Sequence, residues 1–378
     1  MPGRGRDILE RIVKKIRSSE KLPNVVVGFD GYVDSILRVC RQTGGTEAEF
    51  FDTMEEFGDH IKERSWKSCS MELKLQTEKL GGNAPIFSQT IACLGARVDC
   101  IGAFGTPRPL PVFRGLEKLC VLHSLCDPGL CEALEFRDGK VMLARNDRLK
   151  VDYRCLTKLL SVPRLLEMME KAQLLAFFNW SELPGATSIW QGCLQDVFPK
   201  LTARKRLMLD LSDCSQRTEQ EVGEAGELIR EFSKYLNTVL SLNQNEAETL
   251  AKSLGIVSKE KAALAAALRD RLACEMVVIH LLDRAYCATE AEVSCHVGRQ
   301  IQDPLLSTGG GDNFNAGFAF ALLQGMLPEE ALAVANGVSG FYVSQGRSPD
   351  REELAAWLEE NFTGKNEQQK GKICYESA

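Results

Sequence analysis

Hydrophobic and polar positions follow a helical period over residues 7–17 and form a nearly continuous apolar run within residues 24–30. Apolar residues recur at i, i+3 and i+4 in the first segment, which predicts an amphipathic packing helix. The second segment ends at Asp30, and Gly31 follows it, which indicates a buried strand. The chain is therefore predicted to begin its fold with a surface helix and a core strand.

From about residue 160 onward, strand and helix patterns alternate along the chain. Apolar runs predict strands at 174–178, 206–210, 238–242 and 275–279, and helical periodicity predicts helices at 164–172, 219–236, 246–253 and 258–273. This alternation predicts a parallel sheet with helices on both faces. Ligands bind at the carboxyl edge of such sheets, and the polar residues predicted there are Asn179, Asp210, Asn243, Glu246 and His280.

The region before residue 150 departs from this alternation. Residues 47–66 are acidic and are predicted to be helical, whereas residues 71–75 alternate apolar and polar positions like a half-exposed strand. Strand-like runs at 132–137 and 140–145 flank Asp138-Gly139, which is a strong hairpin signal. This region is therefore predicted to contain β structure of its own.

Three consecutive glycines, Gly309, Gly310 and Gly311, precede Asp312 and an apolar run from Phe314. This order predicts a loop that leads into the first turn of a helix. Such a turn presents free N–H groups and a partial positive charge, which suits a phosphate group. Asp312 would then lie beside an anion site as a possible proton acceptor. On residue types alone, the same segment also fits a plain turn in which Asp312 caps the helix.

Two further segments place polar residues at the start of a predicted helix. Gly81-Gly82-Asn83 precedes Pro85 and an apolar run that ends at Gly95. Asn243 and Glu246 follow the strand predicted at 238–242. For the second pair, an ordinary helix start that favours an acidic residue is the alternative explanation.

The two glycine segments together resemble the signatures of the ribokinase-like (pfkB) carbohydrate kinases. The residues Thr308-Gly309-Gly310-Gly311-Asp312-x-Phe314-x-Ala316-Gly317 are similar to the second signature of that family, and Gly81-Gly82-Asn83-Ala84 to the first. The resemblance covers most of residues 24–360. It implies an α/β fold with a central, mostly parallel sheet, helices on both faces and a small β-containing lid. We expect a single kinase domain over residues 1–378, with lid segments at about 36–78 and 110–150 and a polar tail at 363–378.

The resemblance also implies roles for individual residues. Asp312 would be the general base that activates the acceptor hydroxyl, and Gly309, Gly310 and Gly311 would form an anion hole for the transferring phosphoryl group. Residues expected to bind the acceptor are Asp30, Asp34, Gly81, Gly82, Asn83 and Asn179. Residues expected near the nucleotide are Asn243, His280, Thr308, Asn336 and Gly337. Glu246 and Asn243 would position Mg²⁺ through water, as a strongly hydrated cation prefers.

Three departures from the family pattern are visible in the sequence. Residues 105–111 hold three prolines where relatives carry Gly-x-Asp, which changes the rim of the predicted site. His280 and Leu282 replace a Thr-x-Gly segment that touches nucleotide phosphates. Leu306 replaces an aspartate linked to monovalent-cation binding, so activation by potassium is not predicted.

Composition excludes several other classes of partner. The chain has 378 residues with 44% hydrophobic and 26% charged residues, and its net charge is −6. The absence of a basic block argues against nucleic acid or an anionic membrane as partner. No apolar run reaches membrane-spanning length, and the 14 cysteines are expected to be reduced, mostly buried thiols of a cytoplasmic protein.

We therefore predict ATP-dependent phosphorylation of a monosaccharide hydroxyl, with ATP, Mg²⁺ and a small sugar as partners. A nucleoside kinase that uses the same residues is the alternative enzyme. A degenerate sugar- or nucleotide-binding protein is the alternative from another class, and the departures from the family pattern motivate it. An exposed lid sheet would also permit a homodimer.

Overall fold

The computed structural model describes residues 2–18, 23–42, 48–299, 301, 304–306, 308–362 and 373–376. The strands are β1 Asn24–Gly28, β2 Tyr32–Gln42, β3 Glu49–Phe50, β4 Leu73–Gly81, β5 Arg97–Ala103, β6 Val121–Cys126, β7 Gly129–Phe136, β8 Gly139–Arg145, β9 Leu174–Phe177, β10 Arg206–Asp210, β11 Asn237–Asn243, β12 Met276–His280, β13 Arg284–Ala288, β14 Val293–Val297 and β15 Ile373–Glu376. The helices are α1 Pro2–Ser18, α2 Met54–Glu63, α3 Asn83–Cys93, α4 Arg114–Glu117, α5 Tyr153–Leu159, α6 Val162–Lys171, α7 Ala186–Asp196, α8 Glu219–Phe232, α9 Gln244–Ser253, α10 Lys261–Leu272, α11 Gly310–Leu323, α12 Pro328–Gln345 and α13 Arg351–Phe362.

The large sheet has ten strands in the order β15-β14-β13-β12-β11-β10-β9-β1-β5-β6. The strands from β12 to β6 run parallel, and β13, β14 and β15 add an antiparallel edge. Strand β1 lies inside the sheet between β5 and β9, as its continuous apolar run predicts. The parallel strands therefore bring their carboxyl ends to one shared edge.

Two hydrophobic clusters cover the two faces of this sheet. Alternate residues of β1 point to opposite faces, so Val26 joins one cluster while Val25 and Val27 join the other. Helices α5 to α10 pack on the Val26 side, and α1, α3, α11, α12 and α13 pack on the other side. The predicted arrangement of a mostly parallel sheet between two helical layers is confirmed.

A second, five-stranded sheet forms the lid. Strand β2 pairs with β4 on one side and with β7 on the other, β3 pairs with the last residues of β2, and β7 continues into β8 through the predicted Asp138-Gly139 hairpin. One face is closed by α2, where Leu37, Phe51 and Leu134 form a small core. On β2, Asp34 lies on the opposite face from Leu37, since their positions differ by an odd number of residues. The lid thus has one packed face and one face that carries Asp34.

Several element boundaries differ from the sequence-based expectation. Strand β6 lies inside the predicted lid segment 110–150 but pairs with β5 in the large sheet. The predicted helix over 47–66 is shorter, because Thr53 caps α2 by accepting a hydrogen bond from the backbone N–H of Glu56 at 3.1 Å. Within the predicted polar tail 363–378, the structure describes only 373–376, and this backbone forms β15.

Two further expectations concern thiols and membrane spans. All 13 cysteines whose side chains are described are free, and most are buried. None of the described helices combines the length and the apolarity that a membrane crossing requires.

Candidate active site

Asp30 follows β1 and joins three separate parts of the chain. Its carboxylate accepts hydrogen bonds from the backbone N–H groups of Asn83 and Ala84 and from Nδ2 of Asn179, each at 2.8 Å. Burial raises the pKa of Asp30 to about 6, although these hydrogen bonds oppose the rise. Both oxygens are thus used by the protein, so the geometry favours a structural role over the sugar contact expected for Asp30.

Asp34 lies on the lid strand β2, and its carboxylate has no hydrogen-bond partner among the described residues. Its side chain is nevertheless buried, with 5% relative exposure. Burial raises its pKa, while the charges of Lys79 and Lys140 lower it. A Cβ atom at Gly81 would lie 2.1 Å from Asp34 Oδ1, so only glycine fits beside this carboxylate. Asp34 is therefore the better candidate for accepting hydrogen bonds from a ligand.

The glycines before α3 shape the backbone around Asp30. Gly82 adopts φ of 94°, a conformation that glycine takes without strain, and it precedes the first residue of α3. A Cβ atom at this position would lie 2.8 Å from Asp30 Oδ2. The turn therefore brings the first amides of α3 onto the Asp30 carboxylate and leaves the Asn83 side chain free to point elsewhere.

The glycine loop before α11 is held by three side chains. Gly309 has φ of 89° and precedes the helix, and its carbonyl accepts from Asn313 Nδ2 at 2.8 Å. Tyr342 OH donates to the carbonyl of Thr308 at 3.0 Å, and Ser339 Oγ donates to that of Gly310 at 2.9 Å. Because the carbonyls are fixed from behind, the amides of the first turn of α11 are presented in one direction. Such a turn is a suitable anion site.

Asn313 also joins two more distant segments. Its Oδ1 accepts from Thr90 Oγ1 on α3 at 2.8 Å and from Ser348 Oγ at 2.9 Å, and these two hydroxyls lie 2.8 Å apart. All three side chains are buried. The network therefore couples helix α3 to the glycine loop, and no pattern in the sequence pointed to this role of Asn313.

Asp312 lies in the first turn of α11, where the two glycine segments meet. Asn83 Nδ2 donates to Asp312 Oδ1 at 2.8 Å. Burial raises the pKa of Asp312 well above its usual value, and the negative charges of Asp210 and Asp30 raise it further. A buried carboxylate with a raised pKa and a fixed orientation is a suitable general base.

Asp210 is a second buried carboxylate at this edge, at the end of β10 as the sequence pattern predicts. Its Oδ2 accepts from Asn315 Nδ2 at 2.7 Å, and its Oδ1 accepts from the backbone N–H of Ser212 at 2.8 Å. Burial raises its pKa to about 6. Asn315, which donates to Asp210, lies three residues after Asp312 on the same side of α11. This spacing is the only signal in the sequence that could have connected Asp210 with Asp312.

Asn243 and Glu246 form a capping box at the start of α9. Glu246 accepts from the backbone N–H of Asn243 at 2.8 Å and from Asn243 Nδ2 at 2.6 Å, and Asn243 Oδ1 accepts from the N–H of Glu246 at 3.0 Å. Burial raises the pKa of Glu246 well above its usual value, and Asp210 adds to the rise. Within the described residues, no group of three His, Cys, Asp or Glu side chains is arranged to hold a metal directly.

A cleft of about 720 Å³ opens beside the glycine loop, between the ends of β11 and β12 and the helices α11 and α12. Its lining includes Asn243, His280, Gly311 and Asn336. The His280 ring lies 4.9 Å from the Phe314 ring, and its Nε2 has no hydrogen-bond partner among the described residues. Burial lowers the pKa of His280 to about 4, so the ring is neutral near pH 7. The cleft is large enough for a small ligand.

Gly337 does not line this cleft but lines a smaller adjoining cavity with Asn336 and Gly340, so its expected nucleotide contact stays a prediction. A Cβ atom there would lie 2.6 Å from Leu358, so Gly337 lets α13 approach α12 closely. Gly340 lines the cleft instead, because it lies one turn after Asn336 on the same face of α12. Asn336 itself contacts His296, with Nδ2 and Nδ1 2.8 Å apart.

The chain is similar to known proteins along almost its whole length. A family model described as prokaryotic ketohexokinase matches residues 4–361. The ketohexokinase of Haloferax volcanii is 28% identical over 338 residues, which cover 88% of this chain and 90% of the relative. Ribokinase from Thermotoga maritima has a TM-score of 0.60 at 20% identity, with 89% of this chain and 99% of that chain covered. Adenosine kinase from Sinorhizobium meliloti has a TM-score of 0.64 at 17% identity, with 89% and 98% covered.

The two solved structures have little sequence in common with this chain, and their likeness concerns the fold. It confirms the ribokinase-like architecture that the glycine segments implied. The family match extends over almost the whole chain and includes both glycine segments. The chain therefore belongs to the prokaryotic ketohexokinase family and is a carbohydrate kinase, which transfers a phosphoryl group from ATP to a hydroxyl group of a sugar.

Proposed function

We propose that the acceptor is a ketohexose and that Asp312 removes the proton from its attacking hydroxyl. The single observation that carries the assignment of the base is the 2.8 Å contact between Asn83 Nδ2 and Asp312 Oδ1. This contact brings the acceptor-side turn and the glycine loop to one point. The name of the family and the Haloferax volcanii ketohexokinase support a ketohexose as the acceptor.

The acceptor is held between the lid and the start of α3. Asp34 accepts hydrogen bonds from sugar hydroxyls, because its carboxylate is buried and has no described partner. Asn83 donates to Asp312 and orients it toward the reacting hydroxyl, and the backbone at Gly81 and Gly82 gives the sugar a close approach. Asp30 and Asn179 hold this turn in place through their mutual hydrogen bond. The protein thus fixes the acceptor before the base acts.

The transferring phosphoryl group binds at the amides of Gly310 and Gly311, with Gly309 setting the turn. These amides and the helix dipole stabilise the charge on the phosphoryl oxygens, which is the main requirement of phosphoryl transfer. ATP occupies the adjoining cleft, whose lining includes His280 and Asn336, and Thr308 is held beside the glycine loop through the hydrogen bond from Tyr342 to its carbonyl. His280 Nε2 is a neutral group that can donate to a phosphate oxygen in place of the hydroxyl found in relatives.

Magnesium fits this edge as a hydrated ion and not through direct protein ligands. Both carboxylate oxygens of Glu246 already accept hydrogen bonds from Asn243, so direct ligation would require the capping box to open. After burial, the charge of Asp210 contributes most to the raised pKa of Glu246, which indicates uncompensated negative charge. Asn243 and Glu246 would hold the water around the ion, and Mg²⁺ when bound screens the phosphate charges.

ADP release with ATP and Mg²⁺ tests this proposal across ketohexoses, aldohexoses, pentoses and nucleosides. We expect the highest kcat/KM with a ketohexose. A nucleoside that is preferred over every sugar would replace the proposed acceptor and would support the alternative acceptor class. Product analysis by NMR then identifies the hydroxyl that is phosphorylated.

We also propose that two copies pair through their lids. Strands β4 and β8 each pair with one neighbour among the described strands, so each leaves an edge open. Leu75 and Leu143 are about half exposed and lie on one face of the lid. Light scattering combined with gel filtration should give a mass near twice that of one chain, and replacing Leu75 by lysine should shift it to one chain.

A further inference from the structure

Glu182 lies beside the acceptor site, on the connection between β9 and α7. Its Oε2 accepts from Asn179 Nδ2 at 3.2 Å, and the same amide donates to Asp30 at 2.8 Å. Two carboxylates therefore share one amide group at this point. The Glu182 side chain is exposed, and no lysine, arginine or histidine forms an ion pair with it within the described residues. Its carboxylate thus retains acceptor capacity for a ligand.

The backbone around Glu182 is held from several directions. Arg217 donates to the carbonyls of Trp180, Ser181 and Leu183 at 2.7–3.3 Å, and its guanidinium lies 4.9 Å from the Trp180 ring. The backbone N–H of Glu182 donates to Asn179 Oδ1 at 3.3 Å. An exposed acid on such a fixed connection keeps its position relative to the site, unlike an ordinary surface glutamate.

The charge of Glu182 acts on the acceptor site itself. It raises the pKa values of Asp30, Asp34 and Asp312, although in each case burial is the larger cause. Asp34 is buried and has no described hydrogen-bond partner, which independently indicates a ligand at this place. A neutral ligand with several hydroxyl groups can donate to these carboxylates, whereas an anionic ligand is repelled by them.

We propose that Glu182 determines acceptor specificity in two ways. It accepts a hydrogen bond from a hydroxyl of the sugar, and its charge excludes sugars that carry a carboxylate or a phosphate. This inference rests on the proposed acceptor and adds a residue that the glycine signatures do not contain. Asp34 contributes to the same selection. Glu182 is the better residue to replace, because its side chain is exposed and its replacement disturbs no buried packing.

Glu182→Gln tests the two effects separately, because it keeps the size of the side chain and removes its charge. The probes are fructose as acceptor and 2-ketogluconate, a keto acid with the same carbon skeleton, as competitive inhibitor. We expect KM for fructose to rise about tenfold, the usual size for losing a hydrogen bond to a charged group. The inhibition constant of 2-ketogluconate should rise clearly less than the KM for fructose, because the loss of one repelling charge offsets the lost hydrogen bond for the anion alone. The KM for ATP should stay unchanged, and kcat is followed as the fourth parameter because the charge of Glu182 also acts on the pKa of Asp312.

Glu290→Gln is the matched control. This exposed glutamate lies in the β13–β14 turn, near the amino ends of the parallel strands and away from the carboxyl ends, where Glu182 lies. It should leave all four parameters unchanged. A purely structural role for Glu182 would weaken binding of fructose and of 2-ketogluconate by the same factor, and that result overturns the inference. Unchanged constants in Glu182→Gln overturn it as well, while fructose turnover by the wild type keeps the proposed function. A wild type that phosphorylates no neutral sugar overturns both.

Discussion

Asp312→Asn should reduce turnover and stabilise the fold at the same time. The asparagine keeps the size of the side chain, and its Oδ1 can still accept the hydrogen bond from Asn83 Nδ2 that Asp312 accepts at 2.8 Å. It loses the basicity and the negative charge. The glycine loop is held by Asn313, Ser339 and Tyr342, so its shape should persist in the variant.

The size of the loss in turnover follows from the role of a positioned base. General-base catalysis contributes about 10²–10⁴ in rate, which corresponds to about 3–5 kcal/mol in the activation barrier. The gain in stability follows from the raised pKa of Asp312, because burial and the charges of Asp210 and Asp30 disfavour its ionised form in the folded state. A carboxyl group whose pKa is raised on folding destabilises the fold above its unfolded pKa, and this cost is absent only below the unfolded pKa. The neutral asparagine removes the cost at any pH.

The assay combines single-turnover phosphorylation, calorimetric binding of sugar and nucleotide, and thermal unfolding at pH 7.5. We expect slow turnover, nearly unchanged binding and a higher Tm. Asp270→Asn, an exposed aspartate at the end of α10, serves as the matched control and should change none of these. A variant of Asp312 that binds both substrates and retains most of its single-turnover rate would remove Asp312 from the proton transfer. A lower Tm would show that the charge of Asp312 stabilises the site and would refute the electrostatic reasoning.

Four other predictions address the remaining parts of the site. Glu246→Gln should raise the half-saturating Mg²⁺ concentration several-fold in a kinetic titration; a change in Tm alone would make Glu246 only a helix cap. In denaturant titrations, the free energy of unfolding of Asp210→Asn should rise relative to that of the wild type by up to about 3 kcal/mol between pH 4 and pH 7. The reason is that the pKa of Asp210 is about 6 in the folded state and 3.8 in the unfolded state. A difference in unfolding free energy that does not change with pH would contradict this. Asn313→Ala should cost about 2–4 kcal/mol of stability and lower kcat more than it changes KM for sugar, because buried hydroxyls and the Gly309 carbonyl lose their partners; equal effects on both constants would argue against loop positioning. Amide exchange in 73–81 and 129–145 should slow when the sugar binds, since a lid that closes excludes water, and unchanged exchange at saturation would contradict closure.

Much of the secondary structure of this protein could be predicted from its sequence, because it depends on local interactions. Side-chain periodicity distinguishes helix from strand without knowledge of partners, so the alternating strands and helices after residue 160 were predictable. The Asp138-Gly139 hairpin and the start of α11 after Gly309 depend on backbone conformations that the residue types themselves favour. These local rules also placed Asp312 at the first turn of α11, and the family resemblance then supplied its expected role.

Tertiary packing decided what the local pattern left open. Asp30 and Asp34 have equivalent positions in the sequence pattern, but only Asp30 has its oxygens used by the start of α3 and by Asn179, which is 149 residues away. Likewise, Asn313 receives its role from Thr90, 223 residues earlier in the chain. Such pairings depend on which elements become neighbours, because hydrogen-bond partners and burial are properties of the packed site. The sequence by itself thus determined the elements and predicted where the site lies, whereas the three-dimensional structure decided which carboxylates are hydrogen-bonded within the protein and which are not.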